Sequence, residues 1–188
     1  MKKCIRIAAL TLCTILGAAL FTACASGQTN ADSADSSSAQ IPNPWEECKT
    51  LDEAAKLAGF DYQLPAYAEE LGTPDYIAAI QNDILEVLWK KNGQDEVLLR
   101  KGTQQGDISG DYNDYATTKT EELPCADETV TVTFKGNADG IHLAIWQQGG
   151  YSYSVFSSTG LTEQEAADRA AAILEANSLP TLLDKSAG

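Results

Sequence analysis

Alternating apolar and polar positions predict a sheet-rich fold over most of the chain. In 129–135, TVTVTFK, the residues Val130, Val132 and Phe134 share one side, and threonines occupy the other. A period of two is typical of a strand that buries one face. The same criterion predicts further strands over 60–65, 76–81, 84–91, 94–101, 141–147 and 151–157.

Short turn motifs connect these strands. Asn92-Gly93 separates 84–91 from 94–101, and this dipeptide favours a two-residue hairpin because both turn positions take positive φ. The implied register places Lys90 opposite Asp95 and Leu88 opposite Val97. Glycine-containing turns at 139–140 and 149–150 likewise join the last three strands into a meander.

Two capping boxes mark helices near the ends of the folded part. Thr50-Leu51-Asp52-Glu53 predicts a helix of about nine residues that stops at Gly59, and Thr162-Glu163-Gln164-Glu165 begins an alanine-rich helix. We therefore predict an α+β fold: an antiparallel twisted sheet of about six to eight strands, with a hairpin and a C-terminal meander. A short N-terminal helix and a C-terminal helix are expected to pack on it.

The N-terminus has the layout of a lipoprotein signal peptide, predicted over 1–23. Three basic residues, Lys2, Lys3 and Arg6, precede an uncharged apolar run over 7–23. That run is shorter than the ~20 residues of a membrane span. Small residues precede Cys24, which we expect to become the lipidated mature N-terminus, anchored by its acyl chains.

Composition changes sharply after this cysteine. The segment 25–40, ASGQTNADSADSSSAQ, lacks large apolar side chains. Such a segment cannot offset the entropy of ordering, so we expect 24–40 to be a lipidated cysteine with a flexible tether. The remaining 41–188 is predicted to form one extracytoplasmic domain, on the outer face of the cytoplasmic membrane or the cell surface.

The net charge of the chain limits the kinds of partner that it is expected to bind. Thirteen basic and 27 acidic residues give −14, and loss of the three basic signal residues makes it −17. A domain this acidic repels phosphate backbones, so nucleic acid is not expected as a partner. The membrane is expected to be reached through the lipid anchor.

Two cysteines of the mature domain allow two outcomes. Cys48 and Cys125 form an even pair in a compartment that permits disulfides, so a bridge is one possibility and two free buried thiols are the other. A metal or redox role is disfavoured because the chain has no CxxC motif.

Candidate chemistry is sparse. The single histidine, His142, lies on a predicted strand, and the GxSxG, P-loop, HExxH and GxGxxG motifs are absent from the sequence. We therefore expect a non-enzymatic protein that needs no cofactor. Trp146, Tyr151 and Tyr153 flank the turn at 149–150. They form either a platform for a sugar or peptide, or part of the core.

The segment 106–115, GDISGDYNDY, raises the question of calcium. An EF-hand loop fails here because its invariant glycine is missing. A weaker calcium site made by Asp107, Asp111 and Asp114 stays open. The alternative is that Asp107, Asp111 and Asn113 cap turns. In that alternative, Tyr112 and Tyr115 anchor the segment in the core.

Several segments carry a resemblance to a known group. In chain order they are NPWxxC at 43–48, AGF at 58–60, ISGDYNxY at 108–115, FKG at 134–136 and GGYSY at 149–153. Together they resemble uncharacterised lipoproteins of Gram-positive (Firmicutes, gut Clostridia-type) bacteria, which carry an extracytoplasmic domain of unknown function. More distantly, such domains are similar to the outer portions of membrane-bound anti-sigma regulators.

These observations predict a lipid-anchored extracytoplasmic binding or interaction protein with an unknown protein or carbohydrate partner. Two alternatives belong to other functional classes. One is a hydrolase of the cell envelope or of glycans, since paired carboxylates are plentiful among 27 acids. The other is an extracytoplasmic sensor domain related to anti-sigma regulators, as the resemblance implies.

Overall fold

The computed structural model describes residues 43–178. The predicted signal peptide, Cys24 and tether lie outside this range. The strands are β1 (Glu46–Glu47), β2 (Tyr76–Ile80), β3 (Ile84–Lys91), β4 (Gln94–Gly102), β5 (Thr117–Cys125), β6 (Glu128–Asn137), β7 (Gly140–Gln148) and β8 (Tyr151–Leu161). The helices are α1 (Leu51–Ala58), α2 (Ala68–Leu71) and α3 (Glu163–Asn177).

All eight strands form one antiparallel sheet in the order β1-β2-β3-β4-β8-β7-β6-β5. The β3–β4 hairpin pairs with β8, and β5 to β8 follow one another as a meander. The prediction of an antiparallel sheet built from a hairpin and a C-terminal meander is confirmed. With three helices beside a dominant sheet, the described region is consistent with an α+β fold.

The sheet has two differently covered faces. One, the core face, carries Val87, Leu99, Val155 and Ala144, which follow one another across paired strands. They belong to a single hydrophobic cluster that also contains buried residues of α1 and α3. The opposite face carries the Glu86–Arg100 pair and is approached by the loop between β4 and β5.

Helix ends follow the capping chemistry of the sequence. The Thr50 hydroxyl accepts the amide of Glu53, whose carboxylate accepts the amide of Lys49. Gly59, at φ 81°, caps the C-terminus of α1. A complete capping box involving Thr162 begins α3. Within residues 43–178, no helix combines the length and apolarity needed to cross a bilayer.

Three local predictions are corrected. Leu88 pairs with Leu98 rather than Val97, because a bulge after Trp89 shifts the hairpin register by one residue, although Lys90 still faces Asp95. Residues 60–65 form no strand. Their alternation reflects the burial of Phe60 and Tyr62 without a partner strand. Conversely, β5 was not predicted, since five of its nine residues form a consecutive exposed run and so lack alternation.

Candidate functional site

Lys101 is a cation placed on the core face. Strand alternation puts it on the same side of β4 as Val97 and Leu99, opposite Leu85 on β3 and Tyr153 on β8. Only 6% of the residue is exposed. The backbone pattern that buries its two apolar neighbours therefore also buries a lysine.

Three aromatic rings surround the ammonium group. The Lys101 Nζ atom lies 4.4 Å from the ring centroid of Tyr151, 5.1 Å from that of Phe60 and 5.4 Å from that of Tyr153. Nζ also donates a hydrogen bond of 2.7 Å to the backbone carbonyl of Asp61. Ring faces attract cations, so the rings and this carbonyl replace part of the lost hydration.

Within the part of the chain that the structure describes, the Lys101 ammonium forms no salt bridge. Among residues 43–178, no carboxylate oxygen lies within 4.0 Å of Nζ. Burial lowers the pKa of Lys101 to about 8 from an ordinary 10.5, against the smaller opposing effect of the Asp61 charge. The protein thus holds a desolvated amine whose pKa lies much closer to neutral pH than that of an ordinary lysine.

Two cavities meet at this lysine, and we call them together the Lys101 cleft. Their volumes are about 220 Å³ and about 470 Å³. Both are lined by Lys101, Tyr151, Asn177 and Ser178. The smaller cavity adds Cys125, Ala126, Asp127, Glu128, Gln148, Gly149 and Tyr153, and the larger adds Phe60, Asp61, Gln63 and Ala176.

The three aromatics singled out in the sequence lie in different positions. Tyr151 is half-buried and Tyr153 is buried, and both line the cleft. Trp146 is buried and stacks on Tyr153, with 5.4 Å between ring centroids and 1° between planes. It lines neither cavity of the cleft. The structure therefore places two of the rings at the wall of the cleft and the third in the core behind Tyr153.

Two reciprocal hydrogen bonds join Gln63 and Asn177, which both line the larger cavity of the cleft. The Asn177 amide nitrogen donates to the Gln63 carbonyl at 2.9 Å, and the Gln63 N–H donates to the Asn177 amide oxygen at 3.2 Å. This pair ties the last helical residue of α3 to the segment that contributes Phe60 and Asp61. Residues distant in sequence are thereby held around one amine.

Both cysteines are free in the structure. Cys48 follows β1 and Cys125 ends β5, the two outermost strands of the sheet. The Cys125 thiol contacts the Leu174 carbonyl at 3.5 Å, and its sulfur accepts from the Gln148 amide at 3.0 Å. The bridge, one of the two outcomes that the sequence leaves open, is not formed in this structure, where the two cysteines lie at opposite edges of the sheet.

Two of the three carboxylates of the candidate calcium site already have partners in the protein. Asp107 accepts from the Ser109 amide and hydroxyl and pairs with Lys135. Asp111 accepts from the amide of Asn113. In residues 43–178, no three His, Cys, Asp or Glu side chains are grouped to hold a metal ion. Asp114 is exposed.

The proposed turn caps are present at Asp107 and Asp111, whereas the Asn113 side chain donates to Asp111 and caps no turn. The two tyrosines of the loop differ. Tyr112 is 95% exposed, so its expected anchoring role is wrong. Tyr115 is half-buried and contacts the Asp111 carboxylate.

Arg100 fixes this loop over the second face. Its guanidinium donates to the carbonyls of Ile108 and Ser109 at 3.1 and 2.6 Å and pairs with Glu86 at 2.7 Å. Gly110 lies directly over it: a Cβ there would be 2.2 Å from Arg100 Nη1. The ISGDY segment is therefore a structural clamp on the side of the sheet opposite the cleft.

The side chain of His142, on β7, contacts both the same loop and β8. Its ring stacks on Tyr115 with 6.1 Å between centroids. Nδ1 lies 2.9 Å from the Ser157 carbonyl and Nε2 lies 3.2 Å from the Asp139 carboxylate. Burial lowers the pKa of His142, but these two contacts outweigh it and the net pKa is raised.

Comparisons with known proteins give no relative for this chain. No family model matches it, and neither a curated protein nor a solved structure is significantly similar. Any function must therefore be argued from its own residues.

Proposed function

We propose that this chain is a lipid-anchored extracytoplasmic binding protein whose ligand site is the Lys101 cleft. The anchoring part rests on the sequence, where a basic and then apolar N-terminus leads to Cys24 and a polar segment. The binding part rests on the geometry around Lys101. In this proposal the role is non-enzymatic.

The observation that carries the binding proposal is the unpaired charge of Lys101. Buried charges in proteins are normally paired, because desolvating an isolated ion is strongly unfavourable. Here a buried ammonium lines two cavities and has no carboxylate within 4.0 Å among residues 43–178. A lysine in that position is suited to pair with a charged group of a ligand that binds from outside the protein.

The frame around Lys101 supports the same conclusion. Aromatic walls combined with a few polar groups are typical of small-ligand sites. Tyr151 offers a partly accessible ring, while Gln148 and Asn177 supply amides at the walls. We further propose that the short N-terminal helix and the C-terminal helix pack on the sheet to keep this cleft in shape.

Anchoring is tested by replacing the proposed lipidated cysteine. Cys24→Ala should move the protein out of the membrane fraction in the cells that produce it. Cys13→Ala, inside the proposed signal peptide, is the matched control and should leave fractionation unchanged. If Cys24→Ala partitions as the parent chain does, the anchoring proposal is wrong.

Binding is tested by a thermal-shift screen of small polar compounds on the full chain. Sugars, amino acids, short peptides and organic acids are screened against the parent protein and Lys101→Met. Lys91→Met is the matched control, since the Lys91 side chain is 69% exposed on the β3–β4 hairpin. The proposal requires stabilisation by at least one compound that disappears in Lys101→Met and persists in Lys91→Met.

A further inference from the structure

We infer that the Lys101 cleft binds a small zwitterion, a free amino acid or dipeptide, with its carboxylate at Lys101 and its ammonium at the acidic rim. This inference rests on the proposed function and specifies the ligand class of that site. It follows from the charges, the size and the walls of the cleft.

The ammonium group of Lys101 favours a ligand that carries one negative group. Lys101 contributes the only lysine or arginine side chain among the described residues that line the two cavities. One ammonium balances one carboxylate, which would supply the charge-assisted hydrogen bond that Nζ lacks. The existing bond to the Asp61 carbonyl uses one of three ammonium hydrogens, so donors remain for a ligand.

The rim of the cleft carries the opposite charge. Asp127, in the turn between β5 and β6, and Glu128, the first residue of β6, are exposed and line the smaller cavity, while Asp61 lines the larger one. These acids repel a dianion such as a phosphate monoester and attract a cationic group. A molecule with a carboxylate at one end and an ammonium at the other matches both parts of the cleft.

Cavity size limits the ligand further. The smaller cavity, about 220 Å³, lies below the ~300–1,000 Å³ of pockets for drug-sized molecules. An amino acid or dipeptide is of suitable size for this cavity. The rings of Tyr151 and Tyr153 provide an apolar wall for its side chain or methylene groups.

The ligand class is tested by calorimetric titration of the full chain with matched analogues. The probes are alanine, leucine, phenylalanine and alanyl-alanine, each as the free zwitterion, as the C-terminal amide and as the N-acetyl derivative. The amide removes the carboxylate and keeps the ammonium, whereas acetylation does the reverse. For the best probe, we expect the amide to bind at least tenfold more weakly and the N-acetyl form at least threefold more weakly.

Variants assign each end of the ligand to its residue. Lys101→Met should abolish detectable binding of the free zwitterion, while Lys91→Met should leave it unchanged. The double variant Asp127→Asn, Glu128→Gln should weaken the free zwitterion several-fold, whereas the N-acetyl form, which lacks the ammonium, should bind no more weakly than it does to the parent protein. A circular dichroism spectrum identical to that of the parent protein confirms that each variant is folded.

The possible failures are distinguishable. An amide or N-acetyl form that binds as tightly as the free zwitterion overturns the inference. If none of the probes binds, but another compound from the screen binds in a Lys101-dependent manner, the ligand class is wrong and the proposed function stands. If no compound binds at all, both are wrong.

Discussion

The ammonium nitrogen of Lys101 lies 4.4 Å from the ring centroid of Tyr151, with the charge buried and hydrogen-bonded to the backbone carbonyl of Asp61. Such an arrangement is poor for stability, because ring contacts and one carbonyl replace only part of the hydration of an ammonium. Functional sites typically contain groups that destabilise the fold, because these groups are kept for binding and not for stability.

Removing the charge of Lys101 should therefore stabilise the unliganded protein. We expect Lys101→Met to raise the free energy of unfolding at pH 7 by about 1–2 kcal/mol, since methionine fills the space of the lysine stem without a charge. Urea unfolding of the parent and variant proteins measures this difference. A loss of stability would indicate that Lys101 is a structural residue held by its rings and by Asp61.

The stability gap between these two proteins should close at alkaline pH. The pKa of Lys101 is about 8 in the folded protein against an ordinary 10.5. Between these values the unfolded chain binds more protons than the folded one, so Lys101 makes stability rise with pH. Relative to Lys101→Met, the parent should gain stability from about pH 8 to about pH 10.5. A gap that stays constant over this range would contradict the lowered pKa.

The loop clamp on the opposite face yields a paired prediction. Gly110 and Gly106 both have positive φ, 66° and 98°, but only at Gly110 would an added Cβ collide with Arg100. Gly110→Ala should therefore lower the free energy of unfolding by about 2–4 kcal/mol, and Gly106→Ala by about 1 kcal/mol. Equal losses in chemical denaturation would show that backbone strain alone matters and that the Arg100 contact does not.

His142 should contribute stability that depends on pH. Its pKa in the folded protein is raised by the Ser157 carbonyl and the Asp139 carboxylate, which outweigh the effect of burial. Its charged form is therefore favoured on folding. This contribution is complete below the ordinary value of 6.5 and is lost as pH rises through the raised folded pKa. Asp139→Asn should reduce the dependence of the free energy of unfolding on pH around and above pH 6.5. An unchanged pH dependence would show that the contact between His142 and Asp139 does not contribute to it.

Much of the sheet could be predicted because alternation reports which side chains are buried. The hairpin strands were placed within one residue, since Asn92-Gly93 fixes the turn. Alternation does not report pairing, which explains why 60–65 was assigned as a strand. The bulge after Trp89 depends on packing across strands and leaves no local signal.

Part of the lining of the cleft was singled out in the sequence, as either a ligand platform or part of the core. Tyr151 and Tyr153 were identified because they flank a glycine turn, but Lys101 was missed at the end of a strand, where a lysine is ordinarily exposed. A signal was present: Val97, Leu99 and Lys101 alternate onto one face, which conflicts with burial of a charge. Phe60 and Asn177 come from distant parts of the chain, so only the tertiary structure could place them here.

If Lys101 is the ligand-binding group, the pKa of its amine must respond to the ligand, and this pKa can be measured. Lysine carbons adjacent to Nζ are followed by NMR in isotope-labelled protein, with the Lys101 signal assigned from its absence in Lys101→Met. We expect a midpoint near pH 8 in the free protein and a clear rise when the best compound of the screen is bound. A midpoint near 10.5, or one that the bound compound leaves unchanged, would contradict it.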